Sequence, residues 1–66
     1  MTAITYTVPD VSCAHCERAV RDEVLAVAGV EAVDVDLHAK TVLVRGVDLD
    51  DARLRAAIGD AGYEAA

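Results

Sequence analysis

Residues 4–16 of the chain read ITYTVPDVSCAHC and contain both of its cysteines, Cys13 and Cys16. In the first half of this stretch isoleucine, tyrosine and valine alternate with threonine, which predicts a strand with one buried face. Pro9 ends the strand because proline lacks the N–H group that a sheet ladder needs. Beyond Cys13, apolar residues recur at intervals of three and four, which predicts a helix over Ala14–Ala28. The two cysteines therefore lie at a strand-to-helix junction.

The rest of the chain continues the alternation of strands and helices. We predict that Gly29 caps the first helix, that His38–Lys40 turns between two strands, and that Asp48 is the N-cap of a second helix. A short final strand is expected at Tyr63–Ala66. The order β-α-β-β-α-β within a single domain, residues 1–66, is the ferredoxin-like arrangement of the α+β class. It predicts a four-stranded antiparallel sheet with two helices on one face.

This topology places three loops at the same end of the sheet. They are the cysteine loop Pro9–Cys13, the turn His38–Lys40 and the junction Gly62-Tyr63. We therefore expect the Tyr63 side chain to lie beside the cysteines, where Gly62 permits a sharp approach of the backbone. His38 is expected to be an ordinary turn residue.

Composition and charge argue against several functional classes. The formal net charge of −6 disfavours binding to nucleic acids and to anionic membrane surfaces. No apolar run approaches the ~18 residues that a membrane span requires, and the first residues lack the features of a signal peptide, so a cytoplasmic location is expected. The chain has two tyrosines but no Phe or Trp, and a small core of this kind offers no roomy pocket for a substrate. We therefore do not expect an enzyme.

Cys13 and Cys16 are better explained as reactive groups or metal ligands than as structural cysteines. A disulfide between them would close a very small loop and would stabilise the fold little. The N-terminus of a helix favours thiolate over thiol. Two thiolates suit Cu(I), which accepts low coordination, whereas Zn(II) usually takes four ligands. A metal site is the preferred interpretation, with a redox dithiol or an inert pair of thiols as the alternatives.

In these features the chain resembles the heavy-metal-associated domain family, and bacterial copper chaperones in particular. The family motif Gly-Met-x-Cys-x-x-Cys corresponds to residues 10–16, where Asp10 and Val11 replace the glycine and the methionine. Further similarities are Gly29-Val30 after the first helix, the alternation of Val33 and Val35, and Ala61-Gly62-Tyr63 after the second helix. The family includes copper chaperones and the N-terminal modules of copper-transporting P-type ATPases.

The resemblance implies a role for each residue of the site. Cys13 and Cys16 would be the Cu(I) ligands, with Tyr63 lying over them. Val11 would anchor the loop in the core, in place of a larger methionine. Zinc and cadmium transporters of the family usually have aspartate where this chain has Ser12, so this position favours copper. We also expect Ser12 to cap the first helix.

His15, between the cysteines, has three possible roles. It would complete a three-coordinate site, bind copper shared by two molecules in a metal-bridged homodimer, or remain in solvent.

The resemblance implies a cytosolic Cu(I) metallochaperone that passes copper, by thiolate exchange, to the N-terminal metal-binding domain of a copper-transporting P-type ATPase. The alternatives are an excised N-terminal domain of such an ATPase and a CxxC thiol–disulfide redox module.

Overall fold

The computed structural model describes residues 2–65 of the chain. Its elements are β1 (Thr2–Thr7), α1 (Ala14–Leu25), β2 (Val30–Asp36), β3 (Thr41–Gly46) and α2 (Asp51–Asp60). The sheet has the order β1-β3-β2, and both neighbouring pairs are antiparallel. The predicted α+β class and the order of elements through the second helix are confirmed. Within residues 2–65 no helix has the length and apolar character that crossing a membrane requires.

The core lies between one face of the sheet and the two helices. Each strand and helix contributes buried side chains at the spacing that its own geometry dictates, two residues in a strand and three or four in a helix. The larger members of this set are Tyr6, Val8, Val11, Val20, Val24, Val33, Val42, Val44, Leu54 and Ile58. Burying one such side chain contributes about 1.5–3 kcal/mol, so burial of this set is the main favourable contribution to folding.

A polar contact fixes α2 on the sheet. The Tyr6 hydroxyl donates a hydrogen bond of 2.5 Å to the Asp51 carboxylate, and the Arg55 guanidinium both binds this carboxylate and stacks on the Tyr6 ring. Burial, followed by the bond to Asp51, raises the pKa of Tyr6 to about 12. The first turn of α2 is therefore attached to β1 through one neutral phenol.

The fourth strand predicted at Tyr63–Ala66 is not formed by the residues that the structure describes, and the last of these four lies outside them. Instead, the Tyr63 N–H donates to the Ile58 carbonyl at 3.1 Å, and Gly62 takes a left-handed conformation with φ +94°. These features define a Schellman motif that closes α2. Because its N–H group is used in this cap, Tyr63 does not begin a strand beside β1. The described sheet accordingly has three strands rather than four.

The first helix ends earlier than predicted. It stops at Leu25, with Ala26 as its C-cap, and not at Ala28. Gly29 does have a positive φ of 89°, but its role lies at the start of β2. A Cβ atom at Gly29 would overlap the carbonyl oxygen of Val47, whose N–H bonds to the Gly29 carbonyl. The glycine therefore allows two backbone segments to approach closely.

The N-cap predicted for the second helix is also two residues away from the observed one. Asp50 caps α2, because its carboxylate accepts hydrogen bonds from the N–H groups of Ala52 and Arg53. Asp48 lies in the preceding turn with φ 53°. An N-cap residue usually has an extended backbone, as Asp50 does, so Asp48 is not the cap. Asp48, Asp50 and Asp51 are all suitable N-cap residues by type. The residue at which the turn after β3 ends decides which of them caps the helix.

Candidate metal centre

The two cysteine sulfurs lie next to each other at the start of α1. Cys13 is the N-cap, with the extended conformation usual for that position, and Cys16 belongs to the first helical turn. Their Sγ atoms are 3.1 Å apart, and both are free thiols. A disulfide bond would have a length of about 2.05 Å. The helix start therefore brings two separate sulfur donors to one point, with Cys13 exposed and Cys16 half-buried.

The expectation that Ser12 caps α1 is wrong. Cys13 occupies the N-cap, and no side chain at this position accepts a hydrogen bond from the first turn. Ser12 itself is exposed. Because the Cys13 side chain makes no capping hydrogen bond, its sulfur stays available to a ligand. The backbone of Ser12 contributes to the site in another way, by hydrogen bonding toward the Cys16 sulfur.

Tyr63 approaches the cysteines from the C-terminal end of α2. A hydrogen-bonding interaction with its hydroxyl is the largest cause that lowers the pKa of Cys16 to about 7, followed by the interaction with the Cys13 thiol. The same contact with Cys16 raises the pKa of Tyr63. Cys16 is consequently a thiolate in a substantial fraction of molecules at neutral pH, which is the form that binds metals.

The cysteine loop is anchored from below by Val11 and from the side by Lys40. Val11 is fully buried, and its N–H donates to the Val8 carbonyl at 3.1 Å. Its own carbonyl accepts a 2.8 Å hydrogen bond from the Lys40 Nζ. The Lys40 carbonyl in turn accepts the Val8 N–H at 2.8 Å. The β2–β3 turn therefore does lie at the same end of the sheet as the cysteines.

Lys40 is the residue of this region that sequence reasoning missed. The sequence predicts only that Lys40 belongs to a turn, and it does have the positive φ of 61° that such a position uses. A lysine in a turn does not by itself indicate a hydrogen bond to the carbonyl of a loop 29 residues earlier in the chain. Only the pairing of β1 with β3 brings its ammonium group within reach of the loop.

The two histidines occupy different surroundings. His15 is exposed in the first turn of α1. His38 is an exposed turn residue, as predicted, and its N–H donates to the Asp36 carboxylate at 2.9 Å. Among residues 2–65 no group of three or more His, Cys, Asp or Glu side chains is arranged to hold a metal ion. The sulfur atoms that the described residues bring together at this site are those of Cys13 and Cys16.

Comparison with known proteins gives consistent matches over nearly the whole chain. The model of the heavy-metal-associated domain matches residues 5–64. The solved structure of the CopZ metallochaperone has a TM-score of 0.93 and 30% identity, covering 98% of this chain and 100% of that one. No curated protein matches significantly.

Two further solved structures have the same fold. Copper chaperone Atx1 from Synechocystis PCC6803, in its Cu2 form, is 38% identical with a TM-score of 0.84, covering 96% of this chain and 98% of its own. Oxidised MerP from Ralstonia metallidurans CH34 is 30% identical with a TM-score of 0.90, covering 98% and 93%. These matches confirm the family resemblance that the cysteine junction indicated.

Proposed function

Since the chain belongs to the heavy-metal-associated domain family, we propose that it binds one Cu(I) ion between Cys13 and Cys16 and transfers it to another protein. The observation that carries this proposal is the pair of sulfurs 3.1 Å apart at an exposed helix start. Two soft thiolates suit Cu(I), whereas a structural zinc site needs four ligands. The names of two similar structures, CopZ metallochaperone and copper chaperone Atx1, support copper as the metal.

The geometry of the cysteine pair is compatible with a metal after a small movement. With metal–sulfur bonds of about 2.3 Å, a linear two-coordinate site would separate the sulfurs by about 4.6 Å. The sulfurs must then move apart by roughly 1.5 Å from the observed 3.1 Å. Cys13 is exposed and makes no capping hydrogen bond, so its side chain is able to turn outward at little cost.

Transfer requires ligand exchange and no redox chemistry. A thiolate of the acceptor binds the copper and gives a three-sulfur intermediate, after which the bond to Cys13 or Cys16 breaks. Copper remains Cu(I) throughout, and the released cysteine takes up a proton according to its pKa. The exposed, two-coordinate site leaves space for the incoming thiolate.

The proposed acceptor is the N-terminal metal-binding domain of a copper-transporting P-type ATPase. The net charge of −6 favours a partner with a basic docking face, because complementary charge accelerates encounter more than it tightens binding. We place this exchange in the cytoplasm, where thiols remain reduced. The same site would serve an N-terminal domain within such an ATPase.

The proposal is tested by anaerobic titration of the reduced protein with Cu(I) against a competing chelator. We expect one Cu(I) per chain, binding that is abolished in the C13S/C16S variant, and a clear preference over zinc in a parallel titration. An H15Q variant measured across neutral pH tests the additional ligand, since unchanged affinity would exclude His15. Failure of the folded, reduced protein to bind Cu(I) would overturn the proposal.

A second candidate function is a thiol–disulfide module. The close sulfurs and the lowered pKa of Cys16 are also what dithiol chemistry requires. Its test is the reduction potential of the cysteine pair. A value near the cytosolic glutathione potential, together with weak Cu(I) binding, would favour this function. A potential well outside that range would exclude it.

A further inference from the structure

Lys40 holds the segment between β1 and α1 at two points. The Lys40 carbonyl accepts the Val8 N–H at 2.8 Å, and the Lys40 Nζ donates to the Val11 carbonyl at 2.8 Å. Between these points the Val11 N–H donates to the Val8 carbonyl at 3.1 Å, so residues 8–11 form a closed turn. The two bonds that Lys40 makes to this turn are the Lys40 clamp.

Both sides of the Lys40 clamp are held in place by the fold. Val8 and Val11 are fully buried. Lys40 directly precedes β3, whose first residue, Thr41, is paired with Thr7 of β1. The Lys40 side chain is half-buried, which strengthens its hydrogen bond relative to one in open water. The clamp therefore connects two segments that the core and the sheet each fix.

The clamp ends two residues before the first cysteine. Ser12 and Cys13 are exposed, and the Cys13 side chain makes no capping hydrogen bond. Cys16 lies within the first turn of α1 and moves with that helix. For a linear copper site the two sulfurs must separate from 3.1 Å to about 4.6 Å. While Lys40 holds Val11, this change is confined to Ser12 and Cys13.

We propose that Lys40 is a positioning residue for copper binding, because its hydrogen bond to the Val11 carbonyl orders the cysteine loop before the metal arrives. This inference rests on the proposed copper function and extends it to a residue of another turn. Ordering the backbone of one residue lowers an equilibrium constant about tenfold or more. Where the fold has already ordered the loop, copper binding does not carry this cost.

Lys40 acts through the backbone of the loop and not through its charge on the sulfurs. The largest interactions that lower the pKa of Cys16 to about 7 come from Tyr63 and Cys13. Replacing Lys40 should therefore leave this pKa unchanged while the affinity for copper falls. An effect of charge would differ, since the loss of a nearby cation raises the pKa of a thiol.

The backbone of Lys40 determines which variants test the proposal. It has a left-handed conformation with φ 61°, which glycine and asparagine both tolerate. K40G and K40N therefore keep the turn and remove the side-chain bond to the Val11 carbonyl. K40R retains a long cationic donor and should restore that bond. D50A is the control for stability, because Asp50 caps α2 and its loss weakens the fold away from the loop.

Competition titration of the reduced proteins with Cu(I) tests the proposal, under conditions where circular dichroism shows each variant to be folded. We expect K40G and K40N to bind Cu(I) about tenfold more weakly than the wild type, with K40R and D50A close to the wild type. Equal affinity in K40G, K40N and the wild type would overturn the proposal. So would an equal fall in D50A, or no recovery in K40R. A wild-type chain that binds no Cu(I) would instead refute the proposed function, and this inference with it.

Amide hydrogen exchange of the metal-free proteins provides a readout that needs no copper. The Val11 N–H lies inside the clamped turn, so its protection should fall further in K40G and K40N than in D50A, where only the global stability changes. An equal fall in D50A would contradict the clamp. Alkylation of Cys16 across pH should give the same pKa, about 7, in K40N and the wild type. A raised pKa in K40N would overturn positioning in favour of a charge effect.

Discussion

At the scale of single residues, the Tyr63 hydroxyl contributes most to the acidity of Cys16. It is the largest cause that lowers the pKa of Cys16 to about 7, and the thiolate is the form that binds metal or attacks a disulfide. The sequence predicted that Tyr63 would lie over the loop. The structure adds a direct chemical consequence, because the phenol acts on one particular sulfur.

Replacing Tyr63 with phenylalanine should raise the pKa of Cys16 from about 7 toward the value of a free cysteine, about 8.5. The rate of Cys16 alkylation, followed by mass spectrometry across pH, measures this change. We expect slower alkylation at neutral pH in Y63F and equal rates at high pH. Y6F removes the other phenol hydroxyl, which bonds to Asp51, and serves as the control. An unchanged profile in Y63F would contradict the assignment.

Lys40 acts on the cysteine loop through a hydrogen bond to its backbone, at the Val11 carbonyl, and not through a sulfur atom. K40M should free the Val11 carbonyl, which accepts the Lys40 ammonium group at 2.8 Å, and lower the unfolding free energy by about 1.5–3 kcal/mol. Chemical denaturation measures this loss. R45M breaks an exposed ion pair with Asp34 at 3.6 Å and should cost less than about 1 kcal/mol. Equal losses of unfolding free energy in K40M and R45M would show that the Lys40–Val11 hydrogen bond stabilises the fold no more than an exposed ion pair does.

At the scale of elements, the start of α2 depends on one carboxylate. Asp50 accepts two N–H groups of the first turn, so D50A should lower the unfolding free energy by about 1 kcal/mol. D60A, in the last turn of the same helix, removes a carboxylate from the negative end of the helix dipole and should be neutral or slightly stabilising. Thermal denaturation of both variants checks the contrast, and a loss in D60A as large as that in D50A would contradict it.

The attachment of α2 to β1 should make stability depend on pH. The bond from the Tyr6 hydroxyl, followed by Arg55, lowers the pKa of Asp51. A lowered pKa in the folded state stabilises the protein above about pH 3.9, the value of a free aspartate, and this contribution is lost as pH falls through the folded value. Y6F should reduce the acid-dependent loss, as measured by denaturation midpoints below pH 5. The same slope in both proteins would refute this assignment.

At the scale of the whole molecule, the acidic surface should control the rate of copper transfer. If the acceptor has a basic docking face, salt should slow the transfer of Cu(I) from this chain, because screening removes the attraction that steers the encounter. Stopped-flow transfer measurements over a range of ionic strength check this, and a flat response would exclude electrostatic docking.

Local patterns in the sequence were sufficient for much of the fold and for the donor atoms. Alternation in β1 and the spacing of Val20 and Val24 in α1 depend only on the geometry of each element. The position of Cys13 and Cys16 at a strand-to-helix junction followed from the same periodicities. The end of α1 and the cap of α2 were misplaced, because Ala26 and Asp50 owe their positions to the turns beside them.

The sequence by itself thus determined the order of the elements, the buried faces and the two sulfur donors, since each depends on neighbours a few residues apart. Only the tertiary structure decided which groups act on those donors. Tyr63 reaches Cys16 and Lys40 reaches the Val11 carbonyl because separate segments pack at one end of the sheet. The strand predicted at Tyr63–Ala66 belongs to the same class, because among residues 2–65 Tyr63 bonds instead to the Ile58 carbonyl in the Schellman cap at Gly62.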